Sequence, residues 1–199
     1  MNKKTIILIG LALVIIAAGA FAYFYKFKPA ESEMALGGLK KDHPELSALA
    51  DDVITEQEKM KKDPGNVINY NSLGMAWKTL AEKAHDIKLE NYKEYYNEAL
   101  KVYDKGIEVS QRKNTVLIVN AGNMAKYLEN YPLAEEYYKE AISVSPGDAT
   151  YYIYLAELYE YQMKKSKDDI IGIYEQGKKR ILNPDFLQAR IDEYLGRTK

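Results

Sequence analysis

The chain contains no cysteine. Disulfides, thiolate catalysis, cysteine-based zinc knuckles and lipid attachment through an N-terminal cysteine are therefore excluded. It also lacks an excess of either charge. With 28 Lys and Arg against 29 Asp and Glu, the formal net charge is −1, so no basic field is available to hold a nucleic acid. No glycine-rich phosphate loop with its lysine is present. Histidine is down to two residues, His43 and His85. Glu82 and His85 have the Glu-x-x-His spacing that places both on one helical face in di-iron bundles, but His43 has no glutamate three residues before it. Half of such a centre is missing, so no metal, cofactor or catalytic constellation is expected. What the chain does have is 199 residues, 47% of them hydrophobic and 29% charged, the balance of a folded body rather than a disordered one.

One segment stands apart from that body. Thr5 to Phe24 carries no charged residue over twenty positions; at about 1.5 Å per residue this reaches roughly 30 Å, the thickness of a bilayer's hydrocarbon core. Lys3 and Lys4 precede it, and Tyr23, Phe24 and Tyr25 follow, with Lys26 and Lys28 beyond. Interfacial aromatics and snorkelling lysines suit a membrane anchor, so the expected layout is a tail at 1–4 and a transmembrane helix at 5–25. A cleaved signal peptide is the competing reading, since Ala18-Gly19-Ala20 and Ala20-Phe21-Ala22 both have the small-x-small form. The stretch stays apolar past both sites, which favours an uncleaved anchor. Lysines on both flanks leave the orientation undecided by charge alone; a short N-terminal tail retained in the cytoplasm places the body outside.

Residues 26–43 contain Pro29, Gly37 and Gly38 without sustained periodicity and are expected to be a flexible tether. A packing helix is expected over 44–62, with Leu46, Leu49, Ala50, Val53 and Met60 on one face. Asp63-Pro64-Gly65 stops it, and the same kind of stop recurs at Ser145-Pro146-Gly147 and Asn183-Pro184-Asp185. Recurring stops point to a repeat.

Three units align by small and aromatic residues. Tyr70, Leu73, Gly74 and Trp77 in the first correspond to Ile118, Ala121, Gly122 and Ala125 in the second and to Tyr152, Leu155, Ala156 and Tyr159 in the third. Their second helices align as Ala99, Tyr103 and Gly106; Ala134, Tyr138 and Ala141; Ile170, Tyr174 and Gly177. From Ala99 to Ala134 is 35 residues and from Ala134 to Ile170 is 36, close to the period of about 34 of the tetratricopeptide helix-turn-helix repeat. The chain resembles that family. The resemblance implies an all-α fold, an α-solenoid of about three such repeats plus the N-terminal transmembrane helix. The units fall near 66–111, 114–147 and 149–184, within a helical body at 44–184. Residues 185–199, with Phe186, Leu187, Ile191 and Leu195 on one face, are expected to cap the open end. Gly74 to Gly122 is 48 residues, so the first unit is stretched around Ala81 to Glu94. The absence of proline and glycine there predicts longer helices rather than a loop. Eighteen tyrosines stand against one Trp and four Phe, and many fall on packing positions.

The resemblance also implies where a partner sits, on the concave face lined by the first helix of each unit. Carried onto this chain, that face takes Asn71, Ser72 and Met75 from unit one. It takes Val119, Asn120, Asn123, Lys126 and Tyr127 from unit two, and Ile153, Tyr154, Glu157 and Tyr161 from unit three. Asparagine can hold an extended peptide backbone irrespective of sequence, and tyrosine and methionine supply adaptable contact area. The family's cationic clamp for a terminal carboxylate is not matched. Of its side chains only Asn120 is present, and Asn71, Thr150 and Tyr154 stand at the basic positions. The expected role is a noncatalytic, membrane-tethered adaptor or assembly factor for a protein or peptide partner. The alternatives are a holdase for exported chains and a structural, self-assembling membrane component.

Overall fold

Helix starts are written into this chain by Asn, Asp and Ser. Asn66 accepts from the Ile68 N–H at 3.1 Å, Asn114 from Leu117 at 3.2 Å, Asn130 from Leu133 at 3.3 Å and Asp148 from Thr150 at 2.9 Å. Ser166 and Asp169 exchange a reciprocal capping box. Each satisfies donors that a helix leaves orphaned in its first turn. The structure, a computed structural model, describes residues 29–197. Its elements are α1 (Pro29–Asp42), a 3₁₀ turn (Pro44–Leu46), α2 (Ser47–Lys62), α3 (Val67–Asp86), α4 (Tyr92–Val109), α5 (Thr115–Tyr127) and α6 (Tyr131–Val144). There follow α7 (Ala149–Glu157), which runs on as a π-helical turn (Leu158–Met163), then α8 (Lys167–Lys178) and α9 (Pro184–Arg197). Among the described residues there is no strand, and the fold is all-α.

The chain divides into two compact units between Ala50 and Asp51. In the first, residues 29–42 are helical where the sequence predicts a tether over 26–43. Proline is tolerated in the first turn, Lys40 and Lys41 complement the carboxyl end, and Leu36 and Leu39 are buried. That burial offsets Gly37 and Gly38, which face open space. The expected tail at 1–4 and membrane span at 5–25 lie outside the described residues. Among those described, no helix is long and apolar enough to cross a membrane.

The second unit holds α3 to α9. Every aligned anchor of the three repeats is buried, among them Leu73, Trp77, Ile118, Ala121, Leu155 and Tyr159 on the first helices and Ala99, Ala134 and Ile170 on the second. Glycine serves close approach. A Cβ at Gly74 would lie 2.5 Å from Cζ of the Tyr103 ring, and one at Gly122 would lie 2.7 Å from the Tyr138 ring. On the second helices, a Cβ at Gly106 would meet Tyr70 at 2.6 Å, and one at Gly177 would meet Tyr152 at 2.8 Å. In repeats one and two the tyrosine of the second helix thus lies on the glycine of the first, and in repeats one and three the tyrosine of the first helix lies on the glycine of the second. Tyr70 and Tyr152 also donate their hydroxyls to the carbonyls of Pro64 and Pro146, at 2.8 and 2.9 Å.

The stretched first unit is helical, as its composition predicts, with 20 residues in α3 and 18 in α4 against 13 in α5 and 14 in α6. α4 ends without proline. Gln111 and Arg112 are both left-handed, at φ 55 and 58, and the Arg112 N–H bonds the Ile107 carbonyl at 2.8 Å. The Arg112 guanidinium then grips Glu140 of α6 with two bonds, at 2.7 and 2.5 Å. In α9 the buried set is Leu187, Ile191 and Tyr194, while Phe186, expected inside, is 52% exposed.

Candidate protein-binding face

The first helices of the repeats, α3, α5 and α7, present their groove positions at i, i+3 and i+4 steps, which line up on one side of a helix. On α3 the stripe is Asn71, Met75, Lys78, Glu82 and Asp86. On α5 it is Val116, Asn120, Asn123, Lys126 and Tyr127, and on α7 with its π turn it is Tyr154, Glu157 and Tyr161.

Adjacent stripes touch. The Asn120 amide donates to the Asn71 oxygen at 3.0 Å, tying α5 to α3. The Tyr138 hydroxyl donates to the Asn123 oxygen at 2.8 Å, and its ring lies 5.8 Å from that of Tyr154 at a 40° tilt. Tyr127 stacks on Tyr96 of α4 at 5.1 Å and 24°, with the Lys126 ammonium 5.8 Å from its ring. Glu157 meets Arg190 of α9 at 3.5 Å. Burial raises the pKa of Tyr138, with Tyr154, Tyr127 and Glu157 adding to it, so the hydroxyl is a donor at neutral pH. Tyr96 is pushed up to about 12 by burial first, then by Glu82, Tyr127, Tyr92 and Asp86.

No family model matches the sequence, and no curated protein matches it. Solved structures do. TTC0263, a thermophilic TPR (tetratricopeptide repeat) protein in Thermus thermophilus, aligns over 97% of this chain and 96% of its own at 21% identity, with a TM-score of 0.59. The chain has the tetratricopeptide fold. A structure of MamA also aligns, over 70% of this chain and 71% of its own, at 20% identity and a TM-score of 0.49.

Within the tetratricopeptide fold the groove positions divide in three. Met75, Tyr127 and Tyr161 are exposed, at 46, 40 and 47%. Asn71, Ser72, Asn120, Asn123, Lys126, Tyr154 and Glu157 are half-buried. Val119 and Ile153, expected on the face, are instead buried, each only 8% exposed. One position further along, Asn120 and Tyr154 take the open side.

Two residues on this face escape a reading of the sequence. Ile68 is 71% exposed and Val116 56% exposed, each six residues before its repeat glycine. Their 48-residue separation equals that of Gly74 and Gly122, and this was the signal that could have found them. Tyr96, from a second helix, could be found only from its contact with Tyr127. Elsewhere, Glu82 pairs with Lys78 at 2.7 Å while His85 packs on the Tyr92 ring at 4.6 Å, so the Glu-x-x-His pair serves surface contacts. Among the described residues no group of three or more His, Asp or Glu could hold a metal ion.

Proposed function

We propose that the chain is a noncatalytic adaptor that holds an extended segment of a partner protein across the α3–α5–α7 face, next to a membrane to which residues 5–25 tether it. The observation that carries this reading is the recurrence of solvent-exposed apolar side chains with the repeat. Ile68 and Val116 stand 48 residues apart, and Tyr127 and Tyr161 stand 34 apart, each pair in step with the small residues Gly74, Gly122 and Ala156. A soluble surface has no need to repeat its exposed apolar residues in phase with its packing, whereas a docking face does. The Asn71–Asn120 pair keeps spare donors and acceptors for a peptide backbone.

Replacing Met75 or Tyr154 with a photoreactive residue tests this in intact cells. One defined adduct is expected, absent when the photoreactive group replaces Lys101 on α4. A smear of unfolded clients supports the holdase, self-adducts support self-assembly, and no adduct from either position sinks the groove. For the tether, Ser32→Cys in an otherwise cysteine-free chain is expected to react with a membrane-impermeant thiol reagent in intact cells; protection would reverse the topology.

A further inference from the structure

Two polar contacts lock the second helices of the first and second repeats together. Tyr137 donates to Asp104, and Arg112 grips Glu140. One repeat further along, at offsets of 35 and 36 residues, the positions of Asp104, Tyr137, Arg112 and Glu140 hold Lys139, Ile173, Gly147 and Gln176. A lysine cannot accept, an isoleucine cannot donate and a glycine has no side chain, so neither lock can form between α6 and α8. The seam opens there into a cleft of about 370 Å³, within the range of small-molecule sites. Its apolar wall includes Ile142, Leu155 and Ile173. Lys139 and Ser143 of α6, Gln176 of α8 and Arg180 just beyond α8 bring hydrogen-bond donors to it. The Tyr152 hydroxyl is already on the Pro146 carbonyl, and the lining has no carboxylate.

The charges around the cleft are unequally committed. Glu135 bonds Lys139 and, at 2.7 Å, the Tyr159 hydroxyl, over whose ring Lys165 lies at 5.6 Å. Asp148 caps Thr150, Asp169 accepts from Ser166 at 2.6 Å, and Glu175 pairs with Lys178 at 2.9 Å. Glu136 and Lys179, one of each sign, are exposed outside the lining. Unlike Arg112 and Arg190, Arg180 forms no ion pair among the described residues.

We propose that this cleft binds a small organic carboxylate with a compact apolar body. The Arg180 guanidinium can give a carboxylate two parallel bonds, with Gln176 and Ser143 as further donors. The body lies on Ile142, Leu155 and Ile173. The ligand thereby supplies to the second seam the acceptor and the bulk that Asp104, Glu140 and Tyr137 supply to the first. A cationic ligand would meet Lys139 and Arg180 and find no carboxylate in the lining. None of the groove residues lines the cleft, so this site stands apart from the groove reading.

The test titrates the isotope-labelled full chain, in uncharged detergent, with hydrocinnamate, its amide, phenylpropylammonium and acetate, following the N–H resonances. Hydrocinnamate is expected to shift the signals of Ser143, Gln176 and Arg180. It is expected to bind about tenfold more tightly than the amide, with the ammonium and acetate weaker still. Arg180→Gln, a change at an exposed position, is expected to remove that advantage. Lys139→Asp combined with Ile173→Tyr rebuilds the first seam's lock in the second, and it is expected to close the cleft to every probe. Equal binding of hydrocinnamate, amide and ammonium would leave an apolar hollow without preference for an anion and would overturn the proposal. A carboxylate preference that survives Arg180→Gln places the anion elsewhere and also overturns it. So does the absence of any hydrocinnamate-induced shift up to about 20 mM.

Discussion

The first and second repeats solve one packing problem with different amounts of chain. Their helices run to 20 and 18 residues against 13 and 14, yet Gly74 lies under Tyr103 as Gly122 lies under Tyr138. The extra residues extend the helix ends and leave the crossing point alone. The repeat is therefore defined by the contact where its helices cross. The two crossings differ in one polar detail. The Tyr138 hydroxyl reaches Asn123, but in the first repeat the residue after the glycine is Met75, and the Tyr103 hydroxyl is left buried without a partner.

The largest expected effect breaks both crossings. Gly74→Ala and Gly122→Ala would each gain about 1 kcal/mol in helix propensity, but the new methyl must displace a ring. A net loss of about 1–3 kcal/mol is expected in urea unfolding followed by helical circular dichroism, with Gly74→Ala the worse of the two. Removing the hydroxyls separates the repeats. Tyr138→Phe is expected to cost about 1 kcal/mol, whereas Tyr103→Phe, which deletes an unsatisfied group, is expected to cost nothing or to stabilise. Equal losses would show that the Tyr103 hydroxyl has a partner after all. Met75→Asn copies the second repeat into the first. A gain below about 1 kcal/mol is expected, and it should vanish in a Tyr103→Phe background.

The smallest effect lies at the seam between these repeats, where Tyr137 of α6 donates to Asp104 of α4. Burial raises the pKa of Asp104, only partly offset by the Tyr137 bond and Arg112. A carboxyl that holds its proton more tightly when folded makes stability fall as pH rises from its unfolded value of about 4 through the raised one. Asp104→Asn should remove that decline, so the difference between variant and parent should grow from pH 4 upward. A difference independent of pH would refute the assignment.

The crossings were legible in the sequence because they need residues of extreme size at fixed spacing. Gly74, Gly122, Tyr103 and Tyr138 announce themselves without a partner in view. The exposed face was less legible, for a geometric reason. Neighbouring positions such as Val119 and Asn120 are separated by only a fraction of a turn, and which of them opens to solvent depends on how closely the next repeat approaches. The same uncertainty exchanged Phe186 for Tyr194 in α9. α1 was missed because its leucines are few and two glycines interrupt them; tertiary burial of Leu36 and Leu39 carries that helix. Ile68 and Val116 needed the repeat register first, and only then did their shared offset stand out.

The π-helical turn at Leu158–Met163 sets one end of the array apart. It ends at Lys164 in the left-handed region, with the Lys165 N–H closing onto the Tyr159 carbonyl at 3.0 Å. A wider turn rotates the residues after Glu157 by less per step than an α-helix would. Tyr161 therefore leaves its axis at a different azimuth from Tyr127, although both stand five residues after their repeat's small residue. The array is periodic in sequence but out of phase at one end. The two ends of the array therefore differ, α3 and α5 finishing as α-helices and α7 in the wider turn.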